Sequence, residues 1–243
     1  MKAFLLAAGL GTRLGPLTAD RPKCLVPVGG RAVLLRNLDW LRSQGIHEVV
    51  INLHHRPAAV LEAVGDGSGL GVSVAYSREP ELLGTAGGVL AARPLIGDDT
   101  FLVVYADNLF DVRLGAVIDG HRRSGAMATM ALFEREDVGA SGVAMMTEDG
   151  WITEFQEKPR AGTERSHWVN AGLLVCEPTV YDAIPAMPPT DLSVDVMSVL
   201  AHREHGLHGH RLAPDERVMW IDTADDLRST EAAFALQSGI NAR

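Results

Sequence analysis

An apolar run that stops at a glycine-rich segment is the feature that most constrains the fold of this chain. Residues 3–8 are all apolar, which predicts a buried strand, and Gly9 and Gly11 follow at once. Glycine tolerates positive φ and lets a ligand approach the backbone without a Cβ clash. Successive N–H groups in such a turn form an anion-binding concavity, to which the hydroxyl of Thr12 can add a donor. The segment therefore predicts a strand that leads into a phosphate-binding turn.

Two cations follow this turn. Arg13 offers a planar guanidinium fork for phosphate oxygens, and Lys23 offers a compact point charge. Neither of the two common nucleotide loops is present. The dinucleotide fingerprint needs a third glycine where Leu14 stands, and the P-loop needs a Gly-Lys pair that this sequence lacks. A polyphosphate pocket of another kind is therefore predicted at the end of the first strand.

The complete string is more specific than its parts. Residues 5–27 read LLAAGLGTRLGPLTADRPKCLVP, which resembles the signature of the sugar-1-phosphate nucleotidyltransferases, L-A-A-G-x-G-T-R-L-x-P-L-T followed by P-K. The resemblance implies an α/β fold with a Rossmann-like, doubly wound, mixed and mostly parallel sheet (the GT-A-like nucleotidyltransferase fold). It also implies nucleotide contacts from Leu6, Ala7, Ala8, Gly9, Gly11, Thr12, Arg13 and Lys23.

Length and composition fit a globular α/β protein. With 243 residues, 47% of them hydrophobic and 22% charged, the chain can build a substantial core. We predict a single nucleotidyltransferase domain over 1–243, with a nucleotide-binding half at 1–110 and a sugar-phosphate-binding half at 111–243. Little chain follows the last predicted helix, so the β-helix domain of longer relatives is expected to be absent.

Charge, hydropathy and cysteine usage argue against several classes of protein. A net charge of −9 disfavours non-specific nucleic-acid binding, although a few placed cations can still make a positive pocket. The apolar runs are too short for a membrane span, and the N-terminal run is too short for a signal peptide. Cys24 and Cys176 give no disulfide framework. We expect a cytoplasmic protein without nucleic-acid or membrane partners, for which a homodimer would be unsurprising.

Strands and helices alternate along the first half of the chain. Apolar spacing predicts a helix over 33–44, a strand over 48–53, a helix over 57–64 and a strand over 72–76. This alternation indicates a parallel sheet with helices on both faces. Ligands bind beyond the carboxyl ends of the strands in such sheets, which is where residues 9–13 fall.

A second glycine-rich segment lies at 79–88, EPELLGTAGG. We interpret it as a loop in which glycines allow close approach and Thr85 supplies a small polar contact. It matches the L-G-T-A-G loop that contacts the nucleobase in the family, which implies nucleotide contacts from Gly84, Thr85, Ala86 and Gly87. This form of the motif is typical of the guanylyltransferase branch, so GTP is the favoured nucleotide.

Metal ligands are predicted at two separate places in the chain. Residues 101–106 form an apolar strand that ends in Asp107-Asn108, at the ligand edge of the sheet. A carboxylate there is a suitable ligand for triphosphate-bound Mg²⁺, although Asp-Asn is also a common turn. The resemblance implies Mg²⁺ as cofactor, held by Asp107 and Asp222. The segment 220–227 that contains Asp222 is two residues shorter than the family's W-x-D-I-G-T-P-x-D-L.

The second half of the chain carries the sugar-phosphate motifs. A hairpin of 142–146 and 151–156 with an Asp-Gly turn leads into Glu157-Lys158-Pro159, and Asn170-Ala171-Gly172 precedes a strand predicted at 173–176. In the family the glutamate accepts from sugar hydroxyls, the lysine holds the 1-phosphate, and N-A-G lines the sugar. The sugar-phosphate site that the resemblance implies consists of Asn108, Glu157, Lys158, Asn170, Gly172 and Asp195.

The implied activity is nucleotidyl transfer from a nucleoside triphosphate to a sugar 1-phosphate with release of pyrophosphate. Arg13, Lys23 and Asp107 are the candidate catalytic residues. GTP with a mannose- or heptose-type sugar 1-phosphate is favoured. The alternatives are a thymidylyl- or uridylyltransferase acting on another sugar 1-phosphate, a phosphocholine cytidylyltransferase, and a non-catalytic regulatory subunit that binds nucleotide sugars.

A run of histidines near residue 205 is not part of the predicted site. Its spacing fits no closed zinc set. A solvated helix end and loop is the expected structure for His202, His205, His208 and His210.

Overall fold

The computed structural model describes residues 1–139 and 141–240, with side chains through residue 235. Its strands are β1 (Ala3–Leu6), β2 (Pro27–Val28), β3 (Arg31–Ala32), β4 (Glu48–Leu53), β5 (Ser73–Arg78), β6 (Phe101–Tyr105), β7 (Asn108–Asp111), β8 (Ala128–Glu134), β9 (Gly142–Met146), β10 (Ile152–Glu157), β11 (Trp168–Cys176), β12 (Leu207–Arg211) and β13 (Arg217–Trp220). Its α-helices are α1 (Val33–Ser43), α2 (Pro57–Val64), α3 (Gly84–Ala91), α4 (Arg93–Ile96), α5 (Leu114–Ser124), α6 (Ser198–Leu200) and α7 (Ala224–Ile240). None of these helices is both long and apolar enough to cross a bilayer, within the part of the chain that was searched.

Nine strands of the described chain form one mixed sheet. Its order is β10-β9-β11-β6-β1-β4-β5, with β8 paired to β11 and β12 paired to β8. The strands β6, β1, β4 and β5 are parallel to one another. Seven of the nine strands run in one direction, and β10 and β11 run in the other. The predicted mixed and mostly parallel sheet is thus confirmed.

Hydrophobic cores cover both faces of this sheet. Successive residues of a strand point to opposite faces. Leu5 accordingly packs in the core that contains α1, α2 and α5, while Phe4 packs in the core that contains α3, α4 and α6. The central strands read as continuous apolar runs because both of their faces are buried. The fold is therefore doubly wound, as the alternation of strands and helices predicts.

The prediction of a loop over 79–88 is wrong for its second half, because α3 begins at Gly84. The helix is rich in glycine and has low intrinsic propensity. Its first N–H groups nevertheless find a distant acceptor, since Ala86 and Gly87 donate to the carbonyl of Thr190 at 3.0 and 3.4 Å. Satisfying these otherwise unpaired donors stabilises the start of the helix.

The prediction for the histidine run is also wrong in part. His202 and His205 are exposed, but His208 and His210 lie in β12, half-buried, where that strand pairs with β8. The pairing joins segments about 80 residues apart, so a local sequence pattern does not reveal it.

Candidate active site

A cleft of about 370 Å³ opens at the carboxyl ends of β1, β4 and β6. Both halves of the chain contribute to its walls. The cleft also includes most of the residues that the sequence singles out: Leu6, Ala8, Gly9, Arg13, Gly84, Thr85, Asp107, Asn108, Glu157, Lys158, Asn170, Gly172 and Asp222.

Some predicted residues lie outside the lining of the cleft, namely Ala7, Gly11, Thr12, Lys23, Ala86, Gly87 and Asp195. Lys23 lies directly beneath the lining, where it contacts two of its carboxylates. Thr12 is exposed at the start of a 3-10 helix, Thr12–Thr18, and the structure does not bring it into the cleft. Ala7, Ala86 and Gly87 contribute backbone N–H groups to hydrogen bonds behind the walls, whereas Asp195 contributes its carboxylate.

A lysine between two carboxylates forms the centre of the cleft. The Nζ atom of Lys23 donates to Asp107 Oδ2 at 2.5 Å and also to Asp222 Oδ1. The Lys23 side chain is only 11% exposed. Burial alone would lower the pKa of Lys23, but the two carboxylates outweigh it and raise this pKa above its ordinary value. Lys23 is therefore a fixed positive charge at physiological pH.

A second cation reaches the same centre from the rim. The guanidinium of Arg13 lies 3.4 Å from Asp222 Oδ2, and the side chain is 57% exposed. Because Arg13 is exposed and Lys23 is buried, the two cations differ in how firmly they are held. Arg13 lies in the lining of the cleft, where its exposed guanidinium is accessible to a ligand.

Gly11 places Lys23 by leaving room for it. Gly11 has φ +65°, and a Cβ at this position would lie 2.8 Å from the Cβ of Lys23. The hydroxyl of Thr18 donates to the carbonyl of Gly11 at 2.9 Å and holds the turn. Gly9, the other glycine of this turn, does not have positive φ.

Strand pairing brings Asp107 and Asp222 together across more than one hundred residues. Asp107 immediately precedes β7, and one residue separates Asp222 from the end of β13. These two strands are antiparallel, and Trp220 is opposite Asn108 in their register. The pairing therefore brings the two carboxylates side by side, and the short segment 220–227 still presents Asp222 to Lys23.

The pair of carboxylates fits a divalent metal. Mg²⁺ prefers hard oxygen ligands and is commonly held by one or two carboxylates together with waters and substrate phosphates. Asp107 and Asp222 already converge on one cation, the ammonium of Lys23. These two residues are accordingly the ones that would hold Mg²⁺.

A buried Asn–Glu pair, which the sequence analysis did not identify, organises the other end of the cleft. Asn52 Oδ1 accepts the N–H groups of Ala7 and Ala8 at 2.6 and 3.2 Å. Asn52 Nδ2 donates to Glu79 Oε1 at 2.7 Å, and Glu79 Oε2 accepts from the N–H of Leu83 at 3.1 Å. Both side chains line the cleft. A polar residue inside the apolar strand 48–53 was the signal that could have revealed Asn52.

Glu157 and Lys158 form the rim of the cleft at the opposite end. Lys158 Nζ lies 3.1 Å from Glu157 Oε1. Lys158 is one of the few non-glycine residues of the described chain with positive φ, at 48°, and its N–H donates to the carbonyl of Ser141 at 2.9 Å. Such a backbone conformation costs energy and often marks a functional position.

Asn170 and Gly172 lie inside β11, not before it as the sequence suggested. The pairing of β11 with β8 changes register between Asn170 and Leu174, and a bulge of this kind redirects side chains. Asn170 Oδ1 accepts from the N–H of Gly172 at 2.8 Å. A Cβ on Gly172 would lie 2.7 Å from Asn108 Nδ2, so glycine lets Asn108 approach the strand.

Asp195, which is predicted to belong to the sugar-phosphate site, does not line the cleft. Asp195 Oδ2 accepts the N–H of Asp191 at 2.7 Å, and Asp191, not Asp195, lines the cleft. Further lining residues that the sequence analysis did not identify are Asn52, Glu79, Leu82, Tyr105, Ser141, Gly142, Ser193 and Trp220.

We expect Gly84→Ala to lower the free energy of unfolding by at least about 2 kcal/mol, because positive φ is strained for alanine and a backbone atom blocks the new methyl group. Gly84 has φ +78°, and its Cβ would lie 2.2 Å from the carbonyl oxygen of Thr190. Urea denaturation measures the change. The control is Gly115→Ala in α5, where the Cβ would meet open space. Equal stability of the two variants would show that this close approach is unimportant.

The comparison with known families agrees with this geometry. Residues 2–225 match the family described as Nucleotidyl transferase, and the chain belongs to that family.

Individual relatives differ in the base that their names specify. The chain is 34% identical over 235 residues to a UTP--glucose-1-phosphate uridylyltransferase from Synechocystis, covering 91% of this chain and 60% of that protein. It is 32% identical over 206 residues to a probable mannose-1-phosphate guanylyltransferase from Oryza sativa, covering 83% and 56%. The chain thus spans less than two thirds of the length of these relatives.

A solved structure shows the same fold over nearly the whole chain. It is a putative glucose-1-phosphate thymidylyltransferase from Bacillus anthracis, with a TM-score of 0.86 and 22% identity, covering 96% of this chain and 94% of that chain. At 22% identity, this similarity is evidence for a shared fold and for nothing more specific.

Proposed function

We propose that this chain is a sugar-1-phosphate nucleotidyltransferase, which joins the nucleotidyl group of a nucleoside triphosphate to a sugar 1-phosphate and releases pyrophosphate. The observation that carries the proposal is the cation–carboxylate centre of Lys23, Asp107 and Asp222. This centre lies between a glycine-rich wall and a rim with a second lysine, Lys158. Family membership supports the same reaction class.

The reaction needs positioning and charge neutralisation more than proton transfer. An oxygen of the sugar 1-phosphate attacks the α-phosphorus, a new P–O bond forms there, and the bond to the bridging oxygen of pyrophosphate breaks. The attacking phosphate is already ionised, so no general base is required. Phosphoryl transfer of this kind is catalysed by holding the groups in line and stabilising the charge.

Each charged side chain has a proposed place in this reaction. Lys23 stabilises the charge that develops at the α-phosphate, because it is buried and fixed. Arg13, exposed at the rim, binds the leaving β- and γ-phosphates. Lys158 at the other rim orients the attacking sugar phosphate. Asp107 and Asp222 would hold Mg²⁺, whose contribution when bound is further neutralisation of the triphosphate.

The side chain of Glu79 favours guanine among the bases. A carboxylate only accepts hydrogen bonds and has about four acceptor positions. Asn52 and Leu83 occupy one position on each oxygen, so Glu79 can accept further donors from the cleft. The Watson–Crick edge of guanine offers two adjacent N–H donors. Uracil and thymine place a carbonyl on either side of their single N–H, which a carboxylate repels.

Glu79→Gln should therefore lower kcat/KM for GTP about 10- to 100-fold, as expected for a hydrogen bond to a charged group. The activity with UTP or dTTP should fall less, because the new amide can donate to a base carbonyl. The ratio of kcat/KM values is the measurement, and Glu81→Gln, an exposed carboxylate of the same segment, is the control. An equal loss with every nucleotide would assign Glu79 a purely structural role.

A pyrophosphate-release assay with a panel of substrates tests the proposal. GTP, UTP, dTTP and CTP are each combined with mannose, glucose and heptose 1-phosphates and with phosphocholine. We expect the fastest release with GTP and a mannose- or heptose-type sugar 1-phosphate. Release only with CTP and phosphocholine would indicate a cytidylyltransferase. Binding of nucleotide sugars without release would indicate a regulatory subunit.

A further inference from the structure

Two segments that lie more than one hundred residues apart are joined along one wall of the cleft. The N–H of Thr190 donates to the carbonyl of Leu83 at 2.9 Å, and the carbonyl of Thr190 accepts from the N–H of Ala86 at 3.0 Å. The backbones approach so closely at Gly84 that a Cβ would lie 2.2 Å from the Thr190 oxygen. The start of α3 and the segment after Thr190 therefore form one unit.

The hydroxyl of Thr85 completes this junction. It donates to Asp191 Oδ2 at 3.0 Å and accepts from the N–H of Leu192 at 2.7 Å. A hydroxyl has a single proton to donate. Because that proton is directed to Asp191, Thr85 cannot also donate to a nucleotide while this bond exists. The role of its hydroxyl lies in the junction.

Asp191 connects this junction to the opposite end of the cleft through further hydrogen bonds. Its Oδ1 accepts the N–H groups of Ser193 and Val194 at 2.8 and 3.1 Å and so caps the helical turn that follows. Asp191 and Ser193 both line the cleft. The helical turn that Asp191 caps, Leu192–Met197, contacts β10, and β10 ends at Glu157, so Asp191 adjoins the Glu157 side of the site.

We propose that Thr85 is a positioning residue that couples the two substrate sites. It holds Asp191 in the wall of the sugar-phosphate end while its own segment borders the nucleotide end. A nucleotide that orders the start of α3 therefore also orders the Asp191 wall, and the second substrate binds to a site that is already formed. This inference rests on the proposed function, because it assumes that the two ends bind these two substrates.

Calorimetric titration of mannose 1-phosphate, with and without saturating α,β-methylene GTP, tests the coupling. The methylene bridge prevents cleavage of the bond that the reaction breaks. In the unmodified protein we expect the nucleotide analogue to tighten sugar-phosphate binding at least about fivefold, within the usual range of coupling between sites. In Thr85→Val this ratio should fall below about twofold, while the affinity for the analogue alone changes less than about threefold.

Three further variants separate positioning from a general structural effect. Thr85→Ser keeps the hydroxyl and should retain the coupling ratio. Thr85→Cys has a side chain of nearly the same size that is only a weak hydrogen-bond donor, so it should lose the coupling. This variant replaces Thr85→Val in the test if the valine variant does not fold. Thr100→Val removes a comparable hydroxyl–carboxylate bond, to Glu177 Oε1 at 2.9 Å, and should leave the ratio unchanged.

The outcomes distinguish this inference from the proposed function. An unaltered ratio in the valine and cysteine variants would overturn the inference, as would a loss of affinity for the analogue alone with the ratio preserved. Pyrophosphate release without any coupling in the unmodified protein would overturn the inference and leave the proposed function intact. Coupled binding without pyrophosphate release would overturn the proposed function and leave the coupling between the two ends of the cleft intact.

Discussion

Replacing Lys23 with alanine is expected to lower kcat by a factor of about 10² to 10³ without unfolding the protein. Lys23 is the cation held between Asp107 and Asp222, and it is far less exposed than Arg13. A preorganised charge at the site where charge develops contributes strongly because no solvent has to rearrange during the reaction. Steady-state pyrophosphate release measures the loss.

Stability measurements on the same variant test the arrangement at the centre. The two carboxylates are 29% and 26% exposed, so water can partly solvate them once Lys23 is gone, and the fold should survive. Their mutual repulsion should make Mg²⁺ raise the melting temperature of the variant more than that of the unmodified protein. Lys2→Ala, which removes an exposed bond to the carbonyl of Leu95, is the control. Turnover of the Lys23 variant within threefold of normal would refute its assigned role.

Asp107→Ala should reduce kcat on the order of 10³-fold and abolish its dependence on Mg²⁺, because the variant would lose the proposed metal ligand together with one carboxylate partner of Lys23. Mg²⁺ titration of the rate and Mn²⁺ binding by electron paramagnetic resonance are the measurements. Asp111→Ala is the matched control, since it removes an exposed carboxylate from the other end of the short strand that follows Asp107. Unchanged Mn²⁺ affinity in the Asp107 variant would show that the metal binds elsewhere.

The sequence predicted well those features that depend on local pattern. Apolar runs identified the strands that end at Leu6, Leu53 and Tyr105, and parallel strands necessarily present their carboxyl ends at one edge. Residues just beyond those ends, such as Gly9 and Asp107, could therefore be placed in one cleft from the sequence. The position of Asp222 needed the pairing of β13 with β7, which no local pattern shows.

Features that depend on contacts between distant segments could not be predicted in this way. A helix starts at Gly84 because the carbonyl of Thr190 accepts hydrogen bonds from N–H groups in the first turn of that helix. Asn52 is held in the cleft wall by the backbone N–H groups that follow β1, and Glu79 is held there by the side chain of Asn52. Asp191 occupies the wall that the sequence had assigned to Asp195. In each case a polar group is placed by a partner far away in the chain.

The position of an isotopic label tests the central claim most directly. The protein is incubated with mannose 1-phosphate, Mg²⁺ and GTP labelled at the α- or the γ-phosphate, and the products are separated. We predict that the α-label appears in a sugar nucleotide and the γ-label in pyrophosphate. Retention of the α-label in GTP, or release of the γ-label as orthophosphate, would contradict the account.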